Sequence, residues 1–402
     1  MSRTTPMRTG TLFDQITRDD PSPASHGEDS FTFMNRVDQP LWARIRDVLD
    51  GWFAEYPRAA AADLRARYRA ADSRQHVAAW WELYLFTLYR RLGYGVTVHP
   101  TVPGRSGQPD FLITRQGEEI YVEAAVVNSG VVDDEDRHGA REGWIYDLVN
   151  EARNPNFHVQ LEFERVGMQR PKAAEIVQPL ERWLRDHDPD AVAQAIDAGE
   201  DLPELVLPVR DWTLVFTPLP IKPERRGRRG RLLGIYPASG GLVNDKEMVR
   251  KTLERKRRQF GRLDSPFVVA LLATSSFMAD EDIAQALFGS EAVQYRVNDP
   301  TFEPRTVRQR DGFLMPGHRP RGTRVSAVLV GKSLFPWTCA RELPHLWLNP
   351  WAVHPLIRTD PFSTTTADER PTFTTKHTDA KAFEVLGLPE QWPGPEPPFV
   401  DD

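Results

Sequence analysis

The chain contains a single cysteine, Cys339, among 402 residues. One thiol excludes an intrachain disulfide and any zinc site built on several cysteines, and it suits a reducing, cytoplasmic setting. Long apolar runs are missing as well. No stretch of about 18 apolar residues occurs that could cross a bilayer, and the first twenty residues (MSRTTPMRTGTLFDQITRDD) lack the apolar core of a secretory signal. There is no internal repeat and no phosphate loop, because Gly331-Lys332-Ser333 has Ser326 where the upstream glycine belongs. Zinc-finger and RRM signatures are absent, so no base-reading element is legible. The expectation is a soluble, cytoplasmic globular protein without a membrane partner, of open oligomeric state.

What is present is ordinary in bulk and uneven in distribution. Hydrophobic residues make up 40%, charged residues 27%, and the net charge is -6, which describes a chain able to bury a large core. Between Lys222 and Arg262, however, 14 Lys/Arg stand against 4 Asp/Glu. The segments KPERRGRRGR (222–231) and RKTLERKRRQFGR (250–262), with RPRGTR (319–324), are candidate phosphate contacts. A mildly acidic protein with one basic segment suits a polyanion held on one face, although short basic runs are often simply solvated.

Residues 1–36 are polar and read as a flexible tail, and residues 37–72 as an N-terminal helical region in which LWARIRDVLDGWF spaces apolar residues by three and four. A longer helix is predicted over 73–92, closed by Gly93. The period then shortens, and 94–100, 109–114 and 119–127 read as strands. Helices (143–153, 171–187, 244–260, 281–288) and strands (157–166, 211–219, 231–236, 266–274, 324–330) alternate beyond them. The pattern predicts an α/β (α+β) fold with a mixed central sheet flanked by helices over 73–335, then a Pro-rich segment over 336–402. No linker divides the chain.

Candidate chemistry begins with a hairpin. If Gln116-Gly117 forms the tight turn between PDFLIT and EIYVEAAVV, Asp110 lies directly across from Glu123 on one face. Carboxylates so placed, with Cβ atoms about 5 Å apart, repel one another unless a hard cation such as Mg²⁺ sits between them. Two exposed acids on a solvated face are the competing account. Residues 120–127 are otherwise apolar on both faces, as in a buried central strand, and that argues for the cation. Glu82 lies on one helical stripe with Ala78, Ala79, Leu85, Phe86 and Tyr89, so it points inward, where a glutamate needs a metal, a hydrogen bond or a salt bridge to a core arginine. Near the second basic segment, Val249, Leu253, Lys256 and Phe260 form another stripe. Lys256 therefore stands on an apolar face, either serving a site or snorkelling to the helix edge. Lys246 falls in a fraying first turn, and Lys251 lies opposite. The acidic run Asp133–Asp136 with His138 has residue types that could bind metal, but it reads first as a mobile loop beside the site.

The acidic helix WWELYLFTLYRRLGY, then Pro109-Asp110, then Glu123 in an apolar strand, together resemble the PD-(D/E)xK (restriction-endonuclease-like) nuclease superfamily over about 56 residues. The resemblance implies that Asp110 and Glu123 bind Mg²⁺ (or Mn²⁺), that Glu82 completes or extends the metal shell, and that the Ala124 carbonyl adds an oxygen. Position 125, where the motif has its lysine, holds alanine, and Lys256 is the best substitute. On this reading the catalytic set is Glu82, Asp110, Glu123 and Lys256. The implied function is a metal-dependent hydrolase of phosphodiesters in DNA rather than RNA, in a setting of restriction or defence against foreign DNA. The alternative is the same scaffold without catalysis, binding nucleic acid or protein; a third option is an enzyme of RNA or nucleotides.

Overall fold

Side-chain caps and left-handed residues mark where the elements start and stop. The computed structural model describes residues 10–25, 28–102, 107–127, 132–223, 226–227, 232–235, 245–259, 263–274, 278–294, 305–315, 321–367 and 373–394. Helix α1 (Ser30–Arg36) is opened by Asp29, whose carboxylate accepts the Thr32 N–H at 2.9 Å. Helices α2 (Pro40–Glu55) and α3 (Arg58–Tyr68) precede α4 (Ser73–Arg91), which Asp72 caps by accepting the Arg74 N–H. Gly93, at φ 81°, turns the chain out of α4 in the left-handed conformation that glycine adopts without penalty. Strands β1 (Gly95–Val98), β2 (Phe111–Arg115) and β3 (Glu118–Val127) follow. Gln116 (φ 52°) and Gly117 (φ 83°) form the two-residue turn between β2 and β3.

The next stretch belongs to a second compact unit, Val131–Leu242 with Ser22–Glu28 and Pro397–Asp402; the first unit comprises Met1–Pro21, Asp29–Gly130 and Val243–Glu396. Within the second unit lie α5 (Val132–Glu151), β4 (Phe157–Arg165), α6 (Ala173–Arg185), α7 (Pro189–Ala198), β5 (Leu205–Val209), β6 (Trp212–Pro220) and β7 (Leu233–Ile235). Its strands form a sheet in the order β5-β6-β4-β7. Ile176, Leu180 and Leu184, on one stripe of α6, are buried with Phe157, Leu161, Trp212 and Phe216.

The chain re-enters the first unit with α8 (Asp245–Gln259), β8 (Phe267–Ala273), α9 (Asp280–Phe288) and the paired strands β9 (Glu291–Gln294) and β10 (Arg305–Arg308). It ends with β11 (Ala327–Lys332), β12 (His345–Leu348), β13 (Thr364–Ala367), β14 (Phe373–Lys376) and α10 (Ala382–Leu386). Eight strands make the main sheet, in the order β1-β2-β3-β8-β11-β12-β13-β14. Pairing is parallel for β3 with β8 and β8 with β11, and antiparallel for β1 with β2 and β2 with β3. The fold is mixed α/β, with helices on both faces of this sheet. Phe111, Ile113, Ile120, Val122, Val268 and Ala270 face one core with α2, α3 and α4. Ala125, Val127, Val269 and Leu271 face another with Val249 and Leu253 of α8 and Ile283 and Leu287 of α9. Covering both faces explains why β3 and β8 read as continuous apolar runs. Trp81 of α4 donates its indole N–H to the Ala270 carbonyl at 3.0 Å, seating the helix on the sheet.

Several expectations are corrected. Residues 10–36 are not a loose tail: Leu12 and Phe13 are buried, and α1 occupies 30–36. Residues 336–402 are more than a Pro-rich segment, since β12, β13, β14 and α10 fall there. The span 73–335 is not one domain, because 131–242 forms a unit of its own. Asp133–Asp136 and His138 lie in α5, not in a loop. No described helix is long and apolar enough to cross a membrane.

Candidate functional site

The site forms where β1 ends and β2 begins, against the middle of β3 and beside α4 and α8. The β2–β3 register pairs Phe111 with Val122, and one step beyond it Asp110 opposes Glu123, as the hairpin predicted. Two hydrogen bonds hold that step. The Ala124 N–H donates to Asp110 Oδ2 at 2.7 Å, and the Asp110 N–H donates to Glu123 Oε2 at 3.3 Å. The next residue, Pro109, has no N–H, so the Ala124 carbonyl that faces it across the ladder receives no donor from β2.

Lys256 comes to this point from α8. Its Nζ lies 2.5 Å from Glu123 Oε1, so the helix that carries the apolar stripe Val249–Leu253–Lys256 delivers the ammonium to the acid. Phe260, the last member of that stripe, lies outside the described residues. Ala125 is buried on the same face of β3 and carries no charge. Lys246 bonds to Ser290 Oγ at 2.8 Å and Lys251 is exposed with Glu247 at 3.9 Å, so neither competes with Lys256.

Glu82 points inward from α4, at 3% exposure, and is held from two sides. The Tyr56 hydroxyl donates to Oε1 at 2.5 Å and Arg67 Nη2 lies 2.8 Å from Oε2. The core arginine weighed from the sequence is therefore real. Arg67 also reaches Asp63 through Nε at 2.8 Å. Sequence reasoning missed Tyr56 and Arg67, which come from the α2–α3 junction and from α3. It also missed His99, whose N–H donates to the Asp110 carbonyl at 2.9 Å and whose Nε2 stands 3.8 Å from Glu82 Oε1. One ligand atom each from Glu82, His99 and Asp110 falls within 4.8 Å of the others.

Electrostatics follow from this crowding. Burial pushes the Asp110 carboxyl above its usual range and the Glu82 charge adds to the push, opposed by Lys256, the Ala124 N–H and His99. Burial, then the Asp110 charge, raises Glu123 from 4.5 to about 7 even with Lys256 against it. The Tyr56 hydroxyl is raised by burial and by Glu82. Burial alone would lower the Arg67 guanidinium; Glu82 and Asp63 outweigh it and hold it up. Burial is thus the first cause of both raised carboxyls, and the neighbouring acids add to it against Lys256 and, at Asp110, His99. No family model, curated protein or solved structure matches this chain.

A divalent cation fits the donors present. Asp110 Oδ1 and the long-bonded Glu123 Oε2 are carboxylate oxygens, the Ala124 carbonyl lacks its ladder donor, and a positive charge would favour the ionised form of two acids that burial, then mutual repulsion, raises. The basic segments are less free than their composition suggests. Arg250 pairs with Glu247 at 2.5 Å, Arg257 with Glu254 at 2.6 Å, and Arg226 with Asp190 at 2.6 Å. A groove along α8 mixes Arg250, Lys251, Arg255 and Arg321 with Glu247, Glu254 and Asp311. Residues 224–225 and 228–231 of the first basic segment, 260–262 of the second and 319–320 of the third lie outside the described residues.

Proposed function

We propose that this protein is a divalent-metal-dependent phosphodiesterase acting on nucleic acid, with DNA as the expected substrate. The observation that carries the reading is the approach of Lys256 to Glu123, 2.5 Å apart and beside Asp110. A cation returns to the motif's acids from another element although position 125 is alanine. Asp110 and Glu123, with the Ala124 carbonyl, would hold Mg²⁺ or Mn²⁺, while Glu82 borders the same pocket. Such an ion supplies Lewis-acid stabilisation of phosphoryl oxygens and a more acidic water. Lys256 fixes the rotamer of Glu123 and places a positive charge where negative charge grows on the phosphate. Arg255, Lys251 and Arg321 line a groove on the side of α8 away from Lys256 and suit phosphates of the substrate beyond the scissile one. A setting in restriction or defence rests on the resemblance alone.

A catalytically silent scaffold is the second reading. It is favoured by the internal partners of Glu82 and Glu123, which balance two of the three acids without an ion. The two readings part on supercoiled, linear and single-stranded DNA and on RNA, each assayed with Mg²⁺ or Mn²⁺. Asp110→Asn is expected to abolish both cleavage and the rise in melting temperature that the ion gives, and Lys256→Ala to abolish cleavage while metal binding persists. Full cleavage by Lys256→Ala would remove the lysine from the mechanism; no cleavage of any substrate by the unaltered chain would leave the scaffold.

A further inference from the structure

We propose that the ion at Asp110 takes the His99 imidazole as a nitrogen ligand together with Glu82, so that the site selects Mn²⁺ over Mg²⁺. This inference rests on the metal-dependent reading above and adds the identity of the ion. The three ligand atoms lie within 4.8 Å of one another. With bonds of about 2.1 Å, neighbouring ligands of one ion stand about 3 Å apart and opposite ones about 4.2 Å, so rotations of the three side chains that bring their ligand atoms together by roughly an ångström close the set.

The imidazole is also spare. His76 Nδ1 is tied to the Tyr68 carbonyl, His187 Nδ1 to the Trp183 carbonyl and His345 Nε2 to Thr365 Oγ1. Among the described residues His99 has no such side-chain bond; its nearest acid oxygen, on Glu82, is 3.8 Å away, beyond hydrogen-bond range. At 34% side-chain exposure it remains open to an arriving ion. Its backbone is pinned by the N–H to Asp110, while Tyr56 bonds Glu82 Oε1 and Arg67 bonds Oε2, so Glu82 offers the ion a remaining lone pair and the side chains draw together as it binds. Mg²⁺ prefers an all-oxygen shell with retained water, and imidazole nitrogen favours first-row transition ions. A mixed set of two carboxylates and one imidazole therefore discriminates where Asp110 and Glu123 alone would not.

The test titrates the full chain separately with MnCl₂ and MgCl₂ by calorimetry, and records spin-echo modulation on bound Mn²⁺. The unaltered protein is expected to bind Mn²⁺ at least about tenfold tighter than Mg²⁺ and to show modulation from a directly bound nitrogen. His99→Ala is expected to weaken Mn²⁺ by about 10- to 100-fold and Mg²⁺ by less than about threefold. His99→Gln, which keeps the volume and offers oxygen, is expected to lose the nitrogen signal while still binding both ions; it serves if the alanine variant does not fold. Equal weakening of both ions, no weakening of either, or nitrogen modulation that survives in His99→Gln overturns the assignment. Binding of neither ion by the unaltered chain overturns the metal-dependent reading itself, and this inference with it.

Discussion

Replacing Glu123 with glutamine isolates the charge strain at the centre of the site. The carboxyl is 2% exposed and raised from 4.5 to about 7, so between those values the folded chain holds a proton that the unfolded chain has released. Stability from this group is therefore full below pH 4.5 and is lost as the pH rises through 7. The difference is about 3 kcal/mol at 1.36 kcal/mol per unit of pKa, and so deep a group needs no discount for solvent screening. Glutamine mimics the protonated form at every pH. Urea melts followed by tryptophan fluorescence in EDTA, at pH 5 and pH 8, should show the native protein losing about 2–3 kcal/mol more than Glu123→Gln over that interval. Adding Mg²⁺ or Mn²⁺ at pH 8 should restore much of the loss in the native protein and little in the variant. Parallel pH dependence in the two proteins would refute the claim that Glu123 is strained in the folded state.

Two further outcomes test the surroundings of the site. Arg67→Met strands Glu82 in the core and should destabilise the first unit by about 3–5 kcal/mol, with Glu82→Gln in the same chain recovering part of the loss; urea midpoints of the single and double variants measure it, and a neutral single variant would show that Glu82 does not depend on Arg67. At Gly331 an added Cβ would come within 2.9 Å of Trp81 Cη2 and 2.8 Å of Leu334 Cδ1. Gly331→Ala should therefore cost about 1–3 kcal/mol and shift the tryptophan emission, and an unchanged melting temperature would mean that α4 sits less tightly on the sheet than these distances say.

How much was legible in the sequence depended on how local each determinant is. A two-residue turn leaves one register, so the Asp110–Glu123 step could be read from Gln116-Gly117 alone. Glu82 and Lys256 interrupted apolar stripes, and such interruptions show at the level of a single helix. His99 was hidden because the β1–β2 register is set across the connection from 99 to 110, whose length imposes no register. Arg67 and Tyr56 were hidden because reaching Glu82 depends on how α3 packs against α4. The strands β12, β13 and β14 span four residues each, too short for alternation to separate them from turns. The second unit escaped notice because its apolar and charged content resembles that of the chain around it, leaving no compositional break at either end.

The contact between Glu123 and Lys256 joins positions 133 apart, and the stretch between them includes Val131–Leu242 of the other unit. At roughly 5–20 residues per second, a ribosome takes about 7–27 s to travel from one to the other. Throughout that interval β3 is already made and its parallel neighbour β8 is not. The nascent chain therefore carries an apolar strand with one unpaired edge and an acid without its counter-ion. Such an edge invites pairing with other chains, which gives chaperone shielding during synthesis a definite target.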